Sequence, residues 1–114
     1  MAIEIRSETT GTQDGNVSNK VTVTKPASVS NGDYLVVIIG VGDDTPTVAA
    51  PVDWTTGDVV AGTSGPDSQI GIFYKKVTDA GSEPASYTFT VGSGDEAAWW
   101  IGSLSGVSAS TPED

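Results

Sequence analysis

The stretch Asp33–Val41, which reads DYLVVIIGV, decides the fold of this chain. Successive side chains of an extended strand point to opposite faces of the sheet. Here both faces are apolar, with Leu35, Val37 and Ile39 on one and Tyr34 opening the alternate set on the other. A strand that is apolar on both sides has to be covered on both sides, so we expect it to lie in the centre of its sheet.

The segments on either side of this stretch also have the alternation of strands. We expect further strands near residues 2–7, 20–25, 58–61, 69–77, 86–91 and 96–105, separated by stretches rich in Gly, Pro, Asn, Asp, Ser and Thr. No segment has the 3.6-residue apolar spacing of an amphipathic helix. The sequence therefore predicts an all-β fold, a single antiparallel β-sandwich of about eight strands with jelly-roll or immunoglobulin-like Greek-key topology.

One domain is expected to span residues 1–114, because most domains hold roughly 100–150 residues. Residues 1–19 form either a first strand followed by a loop, from Gly11 to Asn19, or an extended N-terminal arm that reaches a neighbouring subunit. Trp54 follows a loop bounded by prolines and is expected to plug one end of the sandwich. The predicted core consists of apolar residues on the expected strands together with this indole: Trp54, Leu35, Val37, Ile39, Ile70, Ile72, Phe73, Tyr87, Phe89, Ile101 and Leu104.

Two amino-acid types that support most enzyme mechanisms are missing, since the chain has no His and no Cys. This excludes catalytic triads, thiolate nucleophiles and zinc sites of the Cys/His type. The carboxylate clusters at 14–16, 43–44 and 95–96 lack the spacing of a calcium loop and are interpreted as turn residues. The sequence thus predicts a protein that is not an enzyme and that has no cofactor and no metal site.

The charge is strongly acidic, with 15 Asp and Glu against 5 Lys and Arg and a formal net charge of −10. Such a chain repels polyanions, so nucleic acid and anionic lipid are not expected as partners. The longest apolar run, Tyr34–Val41, is far shorter than the roughly 20 residues of a membrane-spanning helix. The predicted partners are therefore other proteins or neutral ligands.

Trp99 and Trp100 are adjacent on an expected strand, so their indoles must point to opposite faces. Only one of them can enter the core of this domain. The other is covered by its own chain, buried against another subunit or partner, or used to stack on a carbohydrate. Tyr34 and Tyr74 are further candidates for such an interface or stacking surface. Two strands that are apolar on both faces also indicate a homo-oligomer.

Six short segments, taken in their order along the chain, resemble a β-sandwich module of bacteriophage virion proteins and bacterial surface proteins. They are VTVTKP (21–26), NGDYLVV (31–37), APVDWT (50–55), FYKKV (73–77), EPASYTFT (83–90) and WIGSLSGV (100–107). Their order and spacing carry the resemblance, which covers the chain from residue 21 onwards. One departure is Val52-Asp53, where family members usually have a small residue and a glycine before the tryptophan.

The resemblance implies a non-catalytic structural role in a phage virion, as a capsid decoration protein or a tail-appendage module that contacts other virion proteins. A short copy of the module that stands alone would suit capsid decoration. The alternative is a carbohydrate-binding or adhesion module of a phage tail or of a bacterial cell surface. The expected location is accordingly the virion, or else the bacterial surface.

Overall fold

The computed structural model describes residues 3–13, 20–42, 48–61, 69–91 and 97–106. These ranges contain seven strands and one short 3₁₀ turn at Ala80–Ser82. The strands are β1 Glu4–Gln13, β2 Lys20–Thr24, β3 Tyr34–Val41, β4 Thr55–Ala61, β5 Gln69–Lys76, β6 Ser86–Thr90 and β7 Ala97–Ser105.

The strands form two antiparallel sheets. One has five strands in the order β1-β7-β3-β5-β4, and the other consists of β2 and β6. The all-β prediction is therefore confirmed, together with the antiparallel pairing. Seven strands lie within the described ranges, where the sequence predicted about eight.

Strand β3 lies between β7 and β5, at the centre of the larger sheet. Its inward side chains are apolar, and Val37 stands between Ile101 of β7 and Phe73 of β5 in the strand register. All three of these side chains are fully buried. The central position predicted for DYLVVIIGV is thus the one that the chain adopts.

The two-stranded sheet covers the inner side of the larger one. Val21 and Phe89 are paired across β2 and β6 and both are buried, whereas the threonines that alternate with them along these strands are exposed. The rings of Phe89 and Phe73 join the two sheets, with their centroids 5.2 Å apart. Buried residues from both sheets form one continuous hydrophobic core.

Residues 4–13 form one strand of the sheet, which corrects the expectation of a loop from Gly11. β1 pairs with β7 from Glu4 to Gln13, with one irregularity in register between Ile5 and Ser7. Its second half is rich in threonine, which is β-branched and favours strands. Residues 14–19 lie outside the described residues.

The positions of β5 correct two core predictions. Ile70 and Ile72 are 54% and 39% exposed, because the register with β3 turns Gln69, Gly71 and Phe73 towards the core instead. Leu104 is half-buried on the same outer side of the sheet. The remaining predicted core residues are buried, apart from Trp54, which is half-buried and packs against the core: Leu35, Val37, Ile39, Phe73, Tyr87, Phe89 and Ile101.

A buried carboxylate ties β1 to the turn before β3. Asp33 is 2% exposed and accepts hydrogen bonds from Arg6 Nε at 2.7 Å and from the Ser30 backbone amide at 2.9 Å. Burial acts to raise the pKa of Asp33, but the hydrogen bonds from Arg6 and Ser30, together with the charge of Arg6, outweigh it and lower the pKa below its usual value. The folded protein therefore favours the ionised form.

The stabilising effect of this carboxylate is expected to disappear in acid. A group whose pKa is lowered by folding stabilises the protein above its unfolded-state pKa, here near 3.8, and this contribution is lost as the pH falls through the folded-state pKa. Asp33→Asn should therefore unfold at lower urea concentration than the parent chain at pH 7, and this difference should shrink progressively as the pH falls below about 4. Urea titrations at pH 7, 5, 3.5 and 2.5 measure it, with the exposed Asp58→Asn as the control. A difference that persists undiminished at pH 2.5 would contradict the assignment.

Candidate interaction surface

The two adjacent tryptophans lie on opposite faces of the five-stranded sheet. Trp99 is 9% exposed and belongs to the core, where its indole lies against Gly11 of the neighbouring strand β1. Trp100 is half-buried on the other face, where its indole lies against Gly102. Trp99 is therefore a core residue and not a candidate for an interface, which leaves Trp100 as the outward-facing indole.

We call the side of the five-stranded sheet that faces away from β2 and β6 the outer face. Its central row crosses all five strands, since directly paired residues of antiparallel strands share a face. The row consists of Thr10, Trp100, Ile38, Ile72 and Asp58. Ile38 and Ile72 are each 39% exposed. The row is thus apolar on the three central strands of the sheet, β7, β3 and β5.

The adjacent row is also apolar. It consists of Ala98, Gly40, Ile70 and Val60 on β7, β3, β5 and β4, with the polar Thr12 of β1 at its end. Ile70 is 54% exposed and Val60 is 60% exposed. Together the two rows form a continuous apolar surface on the described part of the sheet, of the kind that marks interaction sites in proteins.

The two tyrosine candidates lie towards the other end of the outer face. Their rings are tilted by 50° and their centroids are 6.3 Å apart. Tyr34 is only 6% exposed, so it is not available as a stacking platform, whereas Tyr74 is half-buried. The structure therefore places Tyr34, Tyr74 and Trp100 on one face but exposes only part of the predicted aromatic set.

Charged side chains stand at the margins of the outer face. Among its positions on β7, β3 and β5, only Lys76 is charged. Glu8 lies on the edge strand β1, opposite Gly102, and Asp58 lies on the edge strand β4. An apolar centre with charges at its rim is the usual anatomy of a protein–protein interface.

The orientation of strand β5 is not the one that would bury the most apolar surface. Its outward positions include Ile70, Ile72 and Tyr74, while its inward positions include Gln69 and Gly71. The Gln69 side chain is buried, and its Oε1 accepts a hydrogen bond from the Val48 backbone amide at 2.9 Å, which offsets the cost of burying this polar group. The more apolar side of β5 is therefore the one that faces away from the core.

The packing of the Trp100 indole on Gly102 can be tested by substituting two glycines of the same face. A Cβ at Gly102 would lie 2.4 Å from Cη2 of Trp100, whereas a Cβ at Gly40, on the same face, would meet nothing within 4 Å. Gly102→Ala should displace the indole and lower the free energy of unfolding by about 1–2 kcal/mol. Gly40→Ala should be neutral or slightly stabilising, because glycine weakens strands.

Urea titration gives the two stabilities, and the indole N–H signal of Trp100 in a ¹H–¹⁵N NMR spectrum reports the position of its ring. The signal should move in Gly102→Ala and stay in place in Gly40→Ala. Equal stabilities and unchanged spectra for both variants would contradict the packing of Trp100 on Gly102.

A second feature is an open cleft of about 420 Å³ beside Trp54. Two of its lining side chains donate hydrogen bonds to Glu83 Oε1, the Tyr87 hydroxyl at 2.7 Å and Lys75 Nζ at 3.1 Å. Burial raises the pKa of Tyr87 far above its usual value, and the hydrogen bond and charge of Glu83 raise it further. The Trp54 indole packs edge-on against Tyr87, with centroids 5.1 Å apart. These groups satisfy one another, which favours a structural role.

Sequence reasoning missed this network and the pair of Arg6 with Asp33. Local sequence spacing predicts neither of them, because Arg6 and Asp33 are separated by 27 positions, and Lys75 comes from a different strand than Tyr87.

Within the described ranges, no cluster of three or more acidic side chains could hold a metal ion. The carboxylates at 14–16, 43–44 and 95–96 lie outside those ranges. No helix in the described part of the chain is long and apolar enough to cross a membrane.

Comparison with known proteins adds no assignment, since no family model, curated protein or solved structure matches this chain. The composition of the outer face suits contact with another molecule. It offers apolar area and one indole, with few groups that could polarise a substrate or exchange a proton.

Proposed function

We propose that this chain is a non-catalytic structural module of a phage virion, a capsid decoration or tail-appendage protein, which binds other virion proteins through its outer face. In this proposal the two sheets form a β-sandwich of the jelly-roll or immunoglobulin-like type. The observation that carries the proposal is the uncharged apolar centre of the outer face, with Ile38, Ile72 and Trp100 in its central row.

Two arguments support a role in contact. Ile70 and Val60 are more than half exposed beside that row, although water-exposed apolar patches carry a solubility cost that selection tends to remove. In addition, β5 turns its more apolar side outward and buries Gln69 instead. A sheet that only needed a core would gain from the opposite arrangement, because burial of an isoleucine stabilises by about 1.5–3 kcal/mol.

The virion part of the proposal is supported by the sequence segments that resemble phage and bacterial surface modules. Two of these segments overlap strands of the structure: VTVTKP includes residues 21–24 of β2, and EPASYTFT contains β6. The proposed location is the virion, with the bacterial surface as the alternative. No catalytic step belongs to this proposal.

Detection in particles tests the proposal. Virions purified from the culture that produces the chain should contain it in stoichiometric amounts by mass spectrometry, and antibodies against it should label the capsid or the tail in electron micrographs. A genome-encoded Ile38→Lys should prevent incorporation, whereas Val52→Lys, at an 87% exposed position outside the outer face, should not. Absence of the chain from purified particles would contradict the proposal.

Carbohydrate binding remains the second candidate, favoured by the half-exposed indole of Trp100 on a sheet surface. The central-row residues on β3 and β5, Ile38 and Ile72, are apolar, however, and Thr10 and Asp58 at the two ends are the polar side chains of the row. Sugar recognition needs several hydrogen-bonding groups beside the ring. A glycan array with the parent chain and Trp100→Ala discriminates: glycan binding that is lost in the variant would support this candidate over protein contact.

A further inference from the structure

We propose that the outer face binds the outer face of a second copy of this chain, so that the protein forms a weak two-fold symmetric dimer. This inference rests on the proposed function in one respect, namely that the outer face is the contact surface. It goes further by naming, among the virion proteins that could occupy that face, a second copy of this chain. The area and the composition of the face support this occupant, and the charge of the chain provides a test of it.

The face is large enough for a dimer of moderate affinity. Five strands about 4.8 Å apart give a width of roughly 24 Å, and the eight residues of β3 extend for about 26 Å. Each copy would thus contribute about 600 Å², or roughly 1,200 Å² for the pair, which is the lower end of the range for specific interfaces. An interface of this size suits reversible association.

The composition of the face matches a contact between identical chains. Transient interfaces between different proteins are about as apolar as the rest of the surface, whereas homodimer interfaces are more apolar. The outward positions of β7, β3 and β5 carry one charged side chain, Lys76, at the end of β5. A two-fold axis in the plane of the interface places apolar centre against apolar centre, because the same patch is presented by both copies.

The charge of the chain makes this dimer recognisable by its response to salt. Each copy carries a formal charge of −10, and Glu8 and Asp58 stand at the rim of the face. Like charges oppose association, and salt screens them over a Debye length of about 8 Å at physiological ionic strength. The dimer should therefore tighten as salt is added. Docking of a basic partner on the same acidic-rimmed face would weaken with salt.

Sedimentation analysis of the whole chain tests the inference, from about 1 to 500 µM protein and at low, physiological and high NaCl. We expect a monomer–dimer equilibrium with a Kd on the order of 10–100 µM at physiological salt, tightening several-fold at high salt. Ile38→Thr combined with Ile72→Thr should weaken the dimer at least about tenfold while the fold is kept, because both positions are partly exposed. Val52→Thr is the matched control and should leave the equilibrium unchanged.

Several results would overturn the dimer. They are a monomer at every concentration and salt, a dimer that is insensitive to Ile38→Thr with Ile72→Thr, and an association that weakens with salt. These outcomes are separable from failure of the proposed function. A strict monomer that is nevertheless found in virions would overturn only the dimer, whereas a dimer that is absent from virions would overturn only the virion role.

Discussion

Replacing Phe89 with alanine is expected to lower the free energy of unfolding by about 3–5 kcal/mol, a large part of the total stability of a domain this size. Phe89 is fully buried on β6, and its ring contacts those of Phe73 and Trp54, with centroids 5.2 Å and 5.5 Å apart. Loss of the ring leaves a cavity between the two sheets, where relaxation is limited because both walls are β-sheet.

Thr88→Ala is the control for this substitution, since Thr88 lies on the same strand with its side chain exposed. It should change the free energy of unfolding by no more than about 0.5 kcal/mol. Urea unfolding followed by tryptophan fluorescence gives both values. If Phe89→Ala proved as mild as Thr88→Ala, the packing of the two-stranded sheet against the larger sheet would be wrong.

The second large effect concerns the ion pair between Lys75 and Glu83. The side chains are only 18% and 7% exposed, so neither charge is well solvated. Glu83→Gln keeps an acceptor for the Tyr87 hydroxyl but leaves the Lys75 ammonium without its counter-ion. Breaking a fully buried pair costs about 3–5 kcal/mol, and the partial exposure of Lys75 reduces the expected loss to about 2–3 kcal/mol.

Removing the unpaired charge of Lys75 should restore much of the stability that is lost in Glu83→Gln. The double variant Lys75→Met with Glu83→Gln is therefore expected to unfold at higher urea concentration than Glu83→Gln alone. Tyr87→Phe, which removes one hydrogen bond and no charge, should cost about 1 kcal/mol. A double variant no more stable than Glu83→Gln would show that the ammonium was already solvated in the folded protein.

Several features of the fold were predictable because they depend on local periodicity. The alternation of VTVT and SYTFT is enough to place Val21 and Phe89 inward on β2 and β6, and the doubly apolar DYLVVIIGV is enough to place β3 in the middle of its sheet. The split of Trp99 and Trp100 between two faces follows from the geometry of a strand alone. Where the two sides of a strand do not differ clearly in polarity, alternation does not supply the side that faces the core.

The errors arose where both sides of a strand are apolar. On β5, a count of apolar residues favours Ile70 and Ile72 as core residues, yet they lie outward. Their direction depends on the register with β3 and on the burial of Gln69, which is satisfied by a backbone amide 21 positions away. A one-residue change in register would exchange the two faces of a strand.

The sequence by itself determined that this chain is all-β, that its centre is residues 33–41 and that one of two neighbouring indoles must leave the core, because each of these follows from the two-residue period of an extended backbone. Only the tertiary structure decided that Trp99 is the indole inside, that β1 extends to Gln13, and that the described residues leave an apolar face of the larger sheet uncovered. Those outcomes depend on which strands pair and in which register, and pairing is set by contacts between residues far apart in the chain.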